Sequence, residues 1–294
     1  MTDAQKGAAA GALAYFIWGS MPVYWKALSG VASAEILGHR VLWSVLFSCL
    51  VLAAAGSLKE AAAFVRTNRK GALWLALGGY LIAFNWGLYI WAINAGRVLD
   101  TSLGYYINPL VSMCFGVLFF SEKLRTVQKA AIALAAGGVL IQVVAMTSLP
   151  LVSLGLAFSF ALYGVLKKKA VIAPPAALFL ETLAVAPAAL IFLLLLQKNG
   201  AAHFPYDLST NLLLAGTGIV TSVPLFLFAS CARRVRLTTL GFIQYISPTM
   251  TFITGSLIYQ EPMNSAKLLT FICIWAALAI YSVDIIRASK AAEA

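Results

Sequence analysis

The chain has 294 residues, of which 62% are hydrophobic and only 11% charged. That balance excludes a soluble globular domain, whose surface alone needs more charge, and implies a chain that meets lipid. The net charge of +11 does not point to nucleic acid, because the basic residues gather in short segments between long apolar runs.

Read in windows of about 19 residues, the sequence predicts ten membrane spans. They fall near 8–27, 34–55, 71–95, 101–121, 127–146, 150–168, 175–197, 210–232, 238–259 and 266–286. The first is too long for a signal peptide and nine spans follow it, so it is expected to be kept. Tyr15 and Trp18 share one of its faces. The second span opens with Glu35 and carries His39 and Arg40, roughly 9 Å from its predicted outer end at 1.5 Å per residue. Glu35 lies four residues before His39, close enough along a helix to pair with it. Asn85 and Tyr89 share a face of the third span. The fourth presents Tyr105, Asn108 and Ser112 on one face, with Tyr106 and Pro109 beside them. In the second half, Phe160 and Tyr163 lie in the sixth span, Glu181 in the seventh, Ser222 and Phe226 in the eighth, and Gln244, Tyr245, Ser247 and Thr251 in the ninth.

The connecting segments differ sharply in charge. With the N-terminus in the cytoplasm, inner segments hold Lys6, Lys59, Arg66, Arg69, Lys70, Lys123, Arg125, Lys129, Lys167–Lys169, Arg233, Arg234, Arg236, Arg287 and Lys290. Outer segments hold only Lys26, Arg97, Lys198 and Lys267. The positive-inside rule then places both termini in the cytoplasm and makes Lys167–Lys169 and Arg233–Arg236 topology anchors, with anionic lipid headgroups as a secondary partner. Cys49, Cys114, Cys231 and Cys273 all fall in spans without metal-ligand spacing and read as small buried hydrophobes.

The two halves repeat. Tyr106-Ile107-Asn108-Pro109, followed by Gly116 and Glu122, matches Tyr245-Ile246-Ser247-Pro248, followed by Gly255 and Glu261. Asn85 and Tyr89 correspond to Ser222 and Phe226, Tyr15 and Trp18 to Phe160 and Tyr163, and His39 to Glu181. An odd number of spans per half forces the second half to enter the membrane from the opposite side. The expected fold is an all-α integral membrane protein of ten transmembrane helices in two inverted five-helix repeats, 1–148 and 149–294.

The segments Ala14–Gly19, Glu35–Val41, Ser102–Leu110, Gly155–Ala161 and Thr239–Ile246 carry a resemblance to a known family. The chain resembles the drug/metabolite transporter superfamily in its EamA-type ten-helix branch and, within it, the RarD-like proteins. The resemblance covers nearly the whole chain. It implies an inner-membrane transporter of a small organic solute, with amino-acid or metabolite export as the family's direction. It does not supply a substrate. The small multidrug-resistance proteins of that superfamily use a glutamate in their first helix for proton coupling; here Gly7–Trp25 has no carboxylate, so that mechanism does not carry over.

Inverted-repeat transporters place their sites where the repeats meet, so a wet cavity midway through the bilayer is expected between the halves, walled by the polar stripes of the fourth and ninth spans. The candidate solute-contact residues are therefore Tyr15, Trp18, Arg40, Asn85, Tyr89, Tyr105, Tyr106, Asn108, Tyr163, Ser222, Phe226, Gln244 and Tyr245. The competing reading of the small polar residues is helix–helix hydrogen bonding, and of the rings interior packing. Arg40 either grips a carboxylate or phosphate with its forked donors or snorkels toward the interface. His39 and Glu181 are coupling candidates; Glu181 is too far in depth to pair with Arg40. Glu122 and Glu261 read as structural, capping a neighbouring segment or pairing with Lys123 and Lys267. No phosphate loop, zinc signature or Ser/His/Asp set is present, so no enzyme activity, metal or cofactor is expected. The expected partners are a small-molecule solute and membrane lipid, with the chain monomeric or a weak homodimer and no nucleic acid. A facilitative channel or uniporter and a lipid flippase or scramblase remain the alternative transport classes.

Overall fold

The computed structural model describes residues 1–94, 98–144, 150–205, 207–253 and 265–293. Among them the structure is entirely helical: α1 (Asp3–Ala27), α2 (Ser33–Ala54), α3 (Leu58–Thr67), α4 (Arg69–Asn94), α5 (Val98–Phe120), α6 (Thr126–Val144), α7 (Leu151–Lys169), α8 (Pro174–Lys198), α9 (Leu208–Arg234), α10 (Leu237–Gln244), α11 (Ile246–Ile253) and α12 (Ser265–Glu293). Eight of them (α2 and α4–α9, with α12) contain stretches long and apolar enough to cross a membrane. At 25 residues α1 spans about 37 Å, which also suffices for a bilayer, although its Gly- and Ala-rich sequence is less apolar.

Local chemistry sets the helix ends. Thr2 and Gln5 form a capping box at the start of α1. Asp207 caps α9 by accepting from the Thr210 backbone N–H at 3.0 Å. α2 and α8 stop in the same way: Gly56 and Gly200 take φ of 68° and 66°, and the N–H groups of Ser57 and Ala201 reach back to the carbonyls of Leu52 and Leu196. A residue with a Cβ adopts that left-handed turn only at a cost.

The ninth predicted span is not one helix. It breaks at Tyr245 into α10 and α11, and the remainder of that span lies outside the described residues, as do Gly255 and Glu261. The reason is Pro248. In a continuous helix it would leave the Gln244 carbonyl unpaired; with the break at Tyr245 it falls in the first turn of α11, where no N–H is needed. Its counterpart Pro109 stays inside an unbroken α5. A second departure is α3, a short amphipathic helix between the second and third predicted spans that hydropathy windows do not register.

The packing pairs interchange when the halves are exchanged. α1 packs on α9 and α7 on α4; α2 packs on α9 and α8 on α4; α5 packs on α7 and the α10–α11 pair on α1. α2 meets α8 and α6 meets α12 directly. Close approach is possible because a Cβ at Gly79 would strike the backbone carbonyl of Glu181, and one at Gly218 would come within 2.5 Å of the Trp43 carbonyl. The outward faces stay apolar, with Leu190, Ile191, Leu194 and Leu195 of α8 and Ile272, Val283 and Ile286 of α12 exposed. Such faces suit lipid, not water.

Candidate functional site

Arg40 projects from α2 into the seam between α1, α4 and α9. Its Nε donates to Thr221 Oγ1 at 3.1 Å. Its Cζ lies 4.8 Å from the Trp25 ring centroid and 4.2 Å from that of Trp86. Tyr89 and Tyr105 meet edge to face at 5.9 Å, and both lie within electrostatic reach of the guanidinium. No carboxylate pairs with Arg40 among the described residues, and no hydrogen bond is made by its two terminal amino groups there. Arg40, Trp25, Trp86 and Tyr89 are each partly accessible and Tyr105 is 49% exposed. Two further hydroxyls of the α2–α9 region, Ser44 Oγ and Ser222 Oγ, are buried without partners among the described residues.

A closed aromatic cluster involves Tyr15 and Trp18 (centroids 5.0 Å apart), with Phe160 5.8 Å from Trp18 and Tyr163 stacked 6.0 Å from Phe228. Phe228 contacts all four rings, yet no repeat position or polar neighbour marked it in the sequence. The polar stripes of the fourth and ninth spans meet each other: Gln244 Nε2 donates to Ser112 Oγ at 3.1 Å, and Ser112 lies 3.5 Å from Asn108 Oδ1. Asn85 clamps α4 to α7, donating to the Leu156 carbonyl at 2.9 Å and Ser159 Oγ at 2.8 Å. Tyr106 and Tyr245 point elsewhere, into the core shared with α6 and α12. Tyr106 packs edge-on against Phe271, and the Tyr245 hydroxyl donates to the Tyr106 carbonyl at 3.3 Å. Phe226 stacks on Phe47 at 6.3 Å.

The charged residues depart from their sequence-based pairings. Glu35 does not turn to His39. Its oxygens take the backbone N–H and the ring Nδ1 of His203, at 2.6 and 2.9 Å. His39 instead accepts from Trp43 Nε1 at 3.3 Å and packs against Phe204, because the segment before α9 folds back over the end of α2. Lys167 is not a surface anchor. Its side chain is 1% exposed and pairs at 2.7 Å with Glu181, also 1% exposed, which further accepts from Tyr163 Oη at 2.9 Å. A lysine and a glutamate buried together neutralise each other where either alone would be costly. The neighbouring basic residues tie helices together at that end: Lys168 donates to the Val235 carbonyl and Arg234 pairs with Asp3 at 3.0 Å. Glu122 caps the next segment, as its place at a helix end suggested. It accepts from the N–H groups of Leu237 and Thr238 at 2.7 and 2.9 Å and so satisfies the start of α10.

Two cavities stand out among the described residues. The larger, about 320 Å³, is a peripheral groove between α3, α4 and α7, walled by Phe64, Trp74, Phe119, Leu162 and Leu166 with Lys169 at its edge. The smaller, about 10 Å³, lies between Trp86 and Glu181. Neither is a wide chamber between the halves. The interface is closed by the aromatic cluster and the Ser112–Gln244 clip, and neither cavity is lined by Arg40, around which polar and aromatic groups converge.

The multi-pass helical architecture, together with the family to which the chain belongs, makes this a membrane transporter and not an enzyme. The chain belongs to the EamA-like transporter family, whose model matches residues 5–144 and again 148–283. It is 44% identical over 293 residues to an "Uncharacterized transporter" of Vibrio cholerae, covering 99% of this chain and 96% of that one. It is 42% identical over 278 residues to "Protein RarD" of Escherichia coli, covering 94% of each. A solved chain titled "Crystal structure of protein" superposes with a TM-score of 0.73 at 16% identity, covering 95% of this chain and 98% of that one; at that identity the likeness concerns the fold alone.

Proposed function

We propose that this chain is a secondary carrier of the bacterial inner membrane, with both termini cytoplasmic and with 1–148 and 149–294 as its two moving halves. It exports a small organic metabolite, an amino acid or a related aromatic or amphipathic compound, by alternating access. The observation that carries this reading is Arg40 with its ring collar. Its members come from α1, α2, α4 and α5 of one half and Thr221 of the other, so a solute seated there would feel any rocking of one half on the other. Solute water would be exchanged for ring contacts and hydrogen bonds. His39 and Glu181 have distinct surroundings in this scheme. Glu181 sits in a neutralised pair, and His39 lies under Phe204 near the opposite end, where an opening movement would expose it.

Solute counterflow in proteoliposomes tests the reading. A carrier gives saturable uptake accelerated by solute on the far side; uptake that neither saturates nor accelerates supports a channel instead. The peripheral groove gives a flippase reading one supporting observation, since its apolar walls face outward. It is confined to the end of the bundle bearing Lys169, however, and a lipid path must run the full thickness. Transbilayer movement of labelled phospholipid by the purified protein would favour that reading.

A further inference from the structure

Resting on the carrier reading but narrowing its solute away from free amino acids, we infer that the Arg40 collar selects a monocarboxylate: a solute with one carboxylate on an aromatic or apolar body and no free ammonium.

The geometry concerns what Arg40 still has to offer. Its Nε is taken by Thr221, and the Trp25 and Trp86 rings lie against the guanidinium. Those contacts hold the group in place and strip water from it, but an aromatic face offsets only part of the cost of a cation at this depth. What remains is the edge bearing the two terminal amino groups, which have no partner among the described residues. That edge matches the two oxygens of a carboxylate. Tyr89 and Tyr105 meet edge to face within electrostatic reach of the guanidinium, and the half-exposed Tyr105 offers a wall for an apolar body.

The charge balance concerns what a zwitterion would need. An α-ammonium entering with the carboxylate requires its own acceptor, best an acid. The two acids nearest in sequence or through Trp86 are already occupied. Both oxygens of Glu35 are held by His203, and Glu181 is held by Lys167 and Tyr163. Arg40 is therefore a cation without a counter-ion among the described residues. A monoanion completes it; a zwitterion brings a second cation for which no unpaired acid stands near Arg40 among the described residues.

The test compares three near-isosteric compounds on the purified full-length protein in nanodiscs. They are 3-phenylpropionate, its neutral amide 3-phenylpropanamide, and L-phenylalanine, which adds the ammonium. Binding is read by calorimetry and by fluorescence of the tryptophans flanking Arg40. The acid is expected to bind about tenfold or more tighter than either competitor, the factor that one charge-assisted bidentate contact supplies. Arg40→Gln should bring acid and amide to equal affinity. Thr221→Val, which leaves the charge but loosens its mount, should weaken the acid a few-fold and keep the protein testable where the glutamine variant does not fold. L-Phenylalanine binding as tightly as the acid overturns the inference and leaves the carrier reading intact. Acid and amide binding alike in the unaltered protein, or an acid preference that survives in folded Arg40→Gln, removes Arg40 as the anchor. Binding of none of the three also overturns it, while counterflow with other solutes judges the carrier reading separately.

Discussion

α2 and α8 are equivalent helices of the two halves, yet they treat buried charge in opposite ways. Each meets the other, and each ends at a left-handed glycine. On α8, Glu181 is sealed with Lys167 and Tyr163, and the pair is 1% exposed. On α2, one residue beyond the position that corresponds to Glu181, Arg40 is left with a threonine and two indole rings. A repeated fold therefore does not impose repeated chemistry. The half that neutralises its charge internally has made it part of the packing. The half that leaves its charge open holds a group whose missing partner a solute can supply.

Mutations can break this contrast. Lys167→Met leaves the buried Glu181 charge with the Tyr163 hydroxyl but no counter-ion and should cost about 3–5 kcal/mol of stability, visible as lost expression or a much lower Tm in detergent. Pairing it with Glu181→Leu should recover most of that loss, because a well-packed apolar pair often replaces a buried ion pair at little cost. A double variant as unstable as the single one would show that the two charges are not coupled. Arg40→Gln should do the reverse: counterflow falls by at least about tenfold, the worth of one lost charge-assisted contact, while the Tm stays level or rises.

Smaller effects sharpen the same comparison. Glu122→Ala removes the cap of α10 and should lower stability by about 1–2 kcal/mol, measured by chemical or thermal unfolding. The corresponding residues Asn85 and Ser222 provide the mildest test. Asn85→Ala loses the clamp between α4 and α7 and should cost about 1 kcal/mol. Ser222→Ala deletes a hydroxyl that has no partner among the described residues, so its stability should change by less than about 0.5 kcal/mol. Reduced counterflow in a fully stable Ser222→Ala would place that hydroxyl on the solute path.

The predicted spans were legible because long apolar runs and basic connections are properties of local sequence. The break at Tyr245 was legible only in part. Pro248 announced a disturbance, but where the helix would divide depended on which carbonyl had to be left free. The amphipathic α3 escaped because a ten-residue element with charged ends is too short and too polar for a hydropathy window. Among candidate site residues, Arg40, Tyr89 and Tyr105 converge, as do Asn108 and Gln244, while Tyr106 and Tyr245 turn toward α6 and α12. Neighbours along a helix point about 100° apart, so Tyr105 and Tyr106 serve different surfaces, and the repeat alone did not say which surface faces the seam.

By itself the sequence determined that the chain is a helical membrane protein, that its halves repeat, and that Arg40 and Glu181 lie within spans, though not that Lys167 is buried. Those follow from composition, periodicity and register. Only the tertiary structure decided partnership: Glu35 with His203, Glu181 with Lys167, and Arg40 with rings instead of an acid. Partners lie on different elements, Glu35 and His203 being 168 residues apart, and no local pattern encodes which distant side chain will arrive to satisfy a buried charge.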